Sequence, residues 1–150
     1  MAGTMEEQSF NGCKVALFIG ERLLITLRDD RPDIAFPNMW DFVGGGRERD
    51  ETPEETLIRE VREEVGLELN SGDLIWKRRY RANYLQNAHV FFYVARLPAG
   101  READIVFGDE GQAWKLVTVD DFKGILDMVP SYKSRLEDWH NGRPQSDISA

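Results

Sequence analysis

Cysteine is almost missing from this sequence. Cys13 stands alone, so no internal disulfide can form and no Cys/His cluster has zinc-ligand spacing. A single cysteine at the head of an apolar run reads as a small buried apolar residue. Long apolar runs are missing as well, and nothing approaches the length of a membrane span. The stretch from Met1 to Asn11 carries Glu6 and Glu7 and lacks a basic region followed by an apolar one, so it does not read as a signal peptide. These absences make a cytoplasmic protein the expectation. Positive charge is in deficit too: 19 Lys and Arg face 27 Asp and Glu, for a net charge of −8. That balance disfavours general attraction to nucleic-acid backbone or to an anionic membrane. A phosphate site in such a chain must be positive only locally, and a bound metal ion supplies that charge without altering the global balance.

What is present suits one compact domain over residues 1–150, with 41% hydrophobic residues to build a core. Cys13 to Ile19 and Leu23 to Leu27 are apolar runs rich in β-formers, separated by Gly20-Glu21, and they read as paired strands. The charged, proline-bearing stretch from Arg28 to Pro37 reads as a loop. A brief strand from Met39 to Val43 is expected before the triple glycine Gly44-Gly45-Gly46, which would supply a sharp turn and a close backbone approach. From Thr52 to Val65 the helix signals agree. Thr52 is an N-cap, Pro53 suits the first turn, Glu55 completes a capping box, and Gly66 ends the helix. Leu57, Ile58, Val61 and Val65 share its core-facing side. Strands are expected over Leu74–Leu85, His89–Leu97, Asp104–Phe107 and Trp114–Val117. Helices are expected over Val119–Met128 and Tyr132–Trp139, broken at Pro130 and followed by a frayed tail past Gly142 and Pro144. The order lacks a regular βαβ alternation, which favours a mixed α/β sandwich over a doubly wound parallel fold.

Chemistry concentrates between Gly45 and Leu67. On the helix, Glu60, Glu63 and Glu64 stand at i, i+3 and i+4, so three carboxylates project from one face beside the apolar stripe. Like-charge crowding on an exposed helix costs only a few tenths of a kcal/mol per pair, so a merely solvated acidic face fits the helix equally well. A hard cation reverses that cost, because magnesium takes clustered carboxylate oxygens together with water and phosphate oxygens. Glu51 and Arg59 carry opposite charge and are placed to tie the preceding loop to the helix.

The same stretch resembles the Nudix box, G-x5-E-x7-R-E-U-x-E-E-x-G-U with U a bulky aliphatic residue. It matches at every fixed position: Gly45, Glu51, Arg59, Glu60, Val61, Glu63, Glu64, Gly66 and Leu67. Trp40-Asp41-Phe42 leading into the glycines fits as well, whereas Val43 stands where many members carry proline. The resemblance implies the Nudix fold, a mixed sheet sandwiched between helices. It implies magnesium or manganese as cofactor, held by Glu60, Glu63, Glu64 and the Gly45 carbonyl, with Arg59 and Glu51 mainly structural. It further implies hydrolysis of a phosphoanhydride in a small nucleotide substrate, most simply a nucleoside triphosphate cut to monophosphate and pyrophosphate as in MutT-like members. Asp109-Glu110-Gly111-Gln112 resembles the segment that MutT-type members set opposite the box, where Glu110 would be a further metal ligand or base; a solvated turn is the competing reading.

Substrate choice is less legible. No proline stands near Asn83, where ADP-ribose-cleaving members typically carry one. Tyr84 lies where dinucleoside-polyphosphate hydrolases often have tyrosine, so that class stays open beside a non-catalytic nucleotide-binding regulator. Phe36, Trp40, Tyr84 and Phe92 are candidates for stacking on a base, against the commoner role of aromatic residues in a core. Phe91-Phe92-Tyr93 reads as a buried strand, and His89 and His140 have no visible catalytic partner. Oligomeric state has no signature in the sequence.

Overall fold

The computed structural model describes residues 9–82 and 88–145. Its centre is β1 (Gly12–Ile19), which turns at Gly20 into β2 (Arg22–Leu27). Gly20 has φ +63°, a conformation glycine takes without a Cβ penalty. After the charged loop come two short strands, β3 (Trp40–Asp41) and β4 (Val43–Gly46). The long helix α1 (Pro53–Val65) follows, then β5 (Leu74–Arg81), β6 (His89–Leu97), β7 (Ala113–Val117), and the helices α2 (Val119–Lys123) and α3 (Tyr132–His140).

The seven strands of the described residues form one mixed sheet in the order β3-β2-β1-β6-β5, with β4 also on β1 and β7 also on β2. Along one edge β1 pairs in parallel with β6 over its whole length, Val15 facing Tyr93. Its other edge is shared, with β2 antiparallel at Phe18 and Ile19 and β4 antiparallel from Gly12 to Val15.

Alternation along β1 feeds two cores. Cys13, Val15, Leu17 and Ile19 pack with Leu57, Val61 and Val65 of α1, while Ala16 and Phe18 pack with Phe122 of α2 and Tyr132 and Leu136 of α3. A mixed sheet sandwiched between helices is therefore the observed architecture. In the second core Phe42 stacks between Phe122 and Tyr132 at centroid distances of 5.2 and 5.3 Å. Cys13 is buried and its Sγ donates to the Pro53 carbonyl at 3.3 Å. The capping box forms as its spacing predicts: Thr52 Oγ1 accepts from the Glu55 N–H at 3.2 Å and the Glu55 carboxylate accepts from the Thr52 N–H at 2.8 Å. Gly66 closes α1 at φ +70°.

Several expectations are corrected. The glycines are not a turn after one strand. Asp41 and Val43 belong to two strands on different partners, and Gly44 to Gly46 continue β4 in register with Lys14, Cys13 and Gly12. Asp104–Phe107 is not a strand, because residues 99–104 form a 3-10 turn and the following backbone caps α1. The Val106 N–H donates to Val65 O at 2.9 Å and the Gly108 N–H to Glu64 O at 2.8 Å. The helix expected to reach Met128 stops at Lys123, where Gly124 ends it and Met128 instead bridges to Trp40.

The tail through Gln145 is not frayed. It lies along β5, where Trp76 Nε1 donates to Arg143 O at 3.0 Å, Arg78 Nη1 to Pro144 O at 2.7 Å, and the Lys77 N–H to Gln145 Oε1 at 3.0 Å. The strand expected to run to Leu85 is observed to Arg81, and its end lies outside the described residues. Among the described residues no helix is long and apolar enough to cross a membrane.

Candidate functional site

The start of α1 is locked to the loop before it by Glu51 and Arg59. Glu51 accepts from Arg59 Nε at 2.8 Å and Nη2 at 3.0 Å, from the Glu48 N–H at 2.8 Å and from Thr56 Oγ1 at 3.1 Å. The Arg59 guanidinium, with burial opposing and the Glu48 N–H and Thr56 hydroxyl assisting, holds the Glu51 carboxyl down at about 2. Arg59 also donates to the Gly46 carbonyl at 2.8 Å, to Glu60 Oε1 at 2.9 Å and to Glu63 Oε2 at 3.2 Å. One guanidinium thus joins the loop, β4 and two of the three box carboxylates.

Helix α1 lies against β4 closely enough that glycine is required there. A Cβ on Gly45 would sit 2.5 Å from Glu60 Cδ and within 2.7 Å of both carboxylate oxygens. The Gly44 N–H donates to Glu64 Oε2 at 2.7 Å, and Gly44 has φ +147°. Glu60 and Glu64 are thus held against the glycine backbone, while Glu63 is exposed. Burial pushes the Glu64 carboxyl up to about 7 in spite of Lys14 and the Gly44 N–H, and burial likewise raises Glu60 against the pull of Arg59.

Glu110 sits on a short loop tied at both ends. Gly108 is bound to the last turn of α1, and Gln112 donates its N–H to Leu27 O at 2.8 Å and its side-chain amide to Arg28 O and Asn38 Oδ1. Gly108 is itself a close-approach glycine, since a Cβ there would meet Glu63 O at 2.4 Å. The loop is brought opposite the box. Among the described residues, a groove between them is lined by Glu48, Glu60, Glu63, Glu64, Asp109 and Glu110. Among the described residues, no three side chains already enclose a single point at ligand distance. The donor set is nonetheless all carboxylate oxygen, the chemistry a hard divalent cation takes, and two of the groups are carboxylates whose burial disfavours their charge until a cation compensates it.

Beside this groove opens a cavity of about 310 Å³, reached by Gly45, Glu60, Glu64 and Glu110 and by a second set of residues that the sequence reading did not select. Lys14 Nζ and Arg28 Nη1 both donate to Asp41 Oδ2, at 2.9 and 2.8 Å. Burial disfavours the Lys14 ammonium, but Asp41, Tyr132 and Glu64 together outweigh it and raise the pKa above its ordinary value. Asp41 is 3% exposed and its other oxygen has no hydrogen-bond partner among the described residues. Tyr132 and Arg135 of α3 complete the wall. A lysine inside an otherwise apolar β-run was the available signal for Lys14; Arg135, inside a short amphipathic helix, offered none.

Of the stacking candidates, Phe36 lines the cavity. Phe92 is fully buried in the second core and Trp40 lies under Lys115 Nζ at 4.3 Å; neither lines the cavity. Tyr84 lies outside the described residues. His140 is exposed on the last turn of α3 and borders neither groove nor cavity.

The family model described as NUDIX domain matches residues 14–139. An RNA pyrophosphohydrolase of Marinomonas sp. (strain MWYL1) is 52% identical over 42 residues, 28% of this chain and 26% of that protein. The nucleoside triphosphatase NudI of Enterobacter sp. (strain 638) is 44% identical over 54 residues, 36% of this chain and 37% of that protein. These matches span well under half the length of either relative. The crystal structure of a MutT protein from Methanosarcina mazei Go1 superposes with a TM-score of 0.69 at 20% identity, covering 93% of this chain and all of that one.

Proposed function

Because this chain belongs to the Nudix family, we propose that it is a divalent-cation-dependent hydrolase that cuts a nucleoside triphosphate to the monophosphate and pyrophosphate. The observation that carries this reading is the groove that, among the described residues, is lined by carboxylates alone, and that opens beside a cavity whose Lys14 and Arg28 can face phosphate. Nudix hydrolases generally use divalent metals, and magnesium or manganese fits the oxygen donors here. Glu60, Glu63, Glu64 and the Gly45 carbonyl would hold the ion. When bound, it neutralises phosphate charge and lowers the pKa of attacking water.

The chain's own residues do the rest. Arg59 and Glu51 fix the carboxylates in place. Lys14 and Arg28, held by Asp41, orient the phosphates. Glu110 accepts the proton as water oxygen bonds to phosphorus and the bridging P–O bond breaks, leaving pyrophosphate to depart.

The test is a nucleotide panel assayed for pyrophosphate and orthophosphate, with magnesium and with EDTA. Release of pyrophosphate is expected only with the cation, and it should fall sharply in Glu63→Gln and Glu64→Gln, which remove a charged ligand while preserving size. Full turnover in EDTA, or wild-type turnover in both variants, overturns the metal assignment. Far higher kcat/KM on dinucleoside polyphosphates or ADP-sugars overturns the substrate assignment.

A further inference from the structure

Among the described residues the cavity is lined by three cations, Lys14, Arg28 and Arg135, and they are not equivalent. Lys14 and Arg28 share the Asp41 carboxylate. Arg135 is only 4% exposed and forms no ion pair among the described residues. Its Nη2 donates to the Arg81 carbonyl at 3.0 Å, and its guanidinium lies 4.7 Å from the Tyr80 ring centroid and 5.7 Å from that of Tyr132. Asp138, one turn further along α3, takes the Tyr80 hydroxyl instead, at 2.7 Å. Burial depresses the Arg135 pKa, and the opposing influence of Tyr132, Tyr80 and Asp138 does not offset it. A buried guanidinium with donors to spare is costly unless a ligand completes its hydrogen bonding.

Its surroundings select the kind of ligand. The cavity that Arg135 lines is also walled by Ala82, Val90, Val129 and Tyr132, with Phe36 from the loop. That is a wall for a flat, apolar-faced group, whereas the phosphate-facing cations stand with Asp41 and Glu64. A planar fork of N–H donors beside such a wall matches a base edge that presents two adjacent acceptors, and guanine does so with O6 and N7.

We propose that Arg135 is a specificity-determining residue that reads the O6 and N7 acceptors of guanine, making guanosine nucleotides the preferred ligands of this cavity. The proposal rests on the nucleotide reading given above, and binding separates the two. Calorimetric titration with non-hydrolysable α,β-methylene analogues of GTP and ATP, in magnesium, should show the guanine analogue at least about tenfold tighter, the lower end of what one good bidentate base contact discriminates. In Arg135→Lys, which keeps the charge and the stem but loses the fork, that ratio should collapse toward one. Arg135→Gln should do the same, and each variant's thermal midpoint establishes that it is folded. In turnover, 7-deaza-GTP, which lacks the N7 acceptor, should lose part of the GTP advantage in the wild type and none in Arg135→Lys.

A purely structural Arg135 would weaken both analogues together and leave the ratio unmoved, and that result overturns the proposal. Equal wild-type affinity for the two analogues overturns it as well. Guanine-selective binding without turnover of any nucleotide would uphold the role of Arg135 and overturn the hydrolase reading instead.

Discussion

Glu64, in the last turn of α1, and Glu51, in the loop before that helix, respond to pH in opposite directions. Burial holds the Glu64 carboxyl near 7, above its ordinary 4.5, so the folded chain binds a proton there that the unfolded chain has released. Without a divalent cation, stability is therefore expected to fall as pH rises from about 4.5 to about 7. Thermal midpoints across that range should show the slope in the wild type, lose it in Glu64→Gln, and lose it on adding magnesium; a slope unchanged in the variant would refute the assignment to Glu64. Glu51, held at about 2 by Arg59, contributes stability above 4.5 that disappears as pH drops toward 2, so Glu51→Gln should flatten the acid limb of the same curve. Glu110 is exposed and contributes no comparable packing. Glu110→Gln is expected to lower kcat with the melting temperature unchanged, as for a group that acts in the transition state. An unaltered kcat across pH, in an assay where Glu63→Gln is dead, would make Glu110 a solvated turn residue.

At the level of elements, α1 was legible because its signals are local: cap, first-turn proline, apolar spacing and terminal glycine all lie within the helix or next to it. Thr52→Ala removes the cap and should cost about 1 kcal/mol in denaturant titration without altering the m-value. The glycine strand was illegible for the opposite reason. Nothing in Gly44-Gly45-Gly46 favours a strand, and what places it in the sheet is its ladder with β1 and the helix pressing on its other side. Gly45→Ala is expected to displace Glu60 and weaken cation binding while Gly46→Ala, whose Cβ meets only Asn11 O at 3.9 Å, is tolerated; equal cation affinity in the two variants would show that the close approach is not required. The segment 104–107 misled because its apolar residues serve the end of α1 rather than a neighbouring strand. The carboxylates of the site could be found from a linear motif. Lys14, Asp41 and Arg135 come from β1, β3 and α3, and only folding brings them to one wall.

Across the whole molecule, β1 is the strand on which everything converges, since β2, β4 and β6 all bond to it and both cores draw on its side chains. Its longest partnership, the parallel ladder with β6, joins segments with β2, the loop, β3, β4, α1 and β5 between them in the chain. That arrangement bears on how fast the molecule is made as well as on how it holds together. Loop-closure entropy must be spent before the ladder returns any free energy, so refolding after dilution from urea is expected on the millisecond-to-second scale rather than in microseconds. If that ladder belongs to the rate-limiting barrier, Val15→Ala, at the β1–β6 register, should slow the refolding limb of a chevron plot. Phe122→Leu, in α2 and away from that ladder, should instead reduce kinetic stability by speeding unfolding. Equal partition of both changes between the two limbs would place the barrier elsewhere. On this topology a ribosome that has not yet released β6 holds a chain whose central strand has an empty edge, and the interval before it fills is when the nascent protein is most exposed to aggregation.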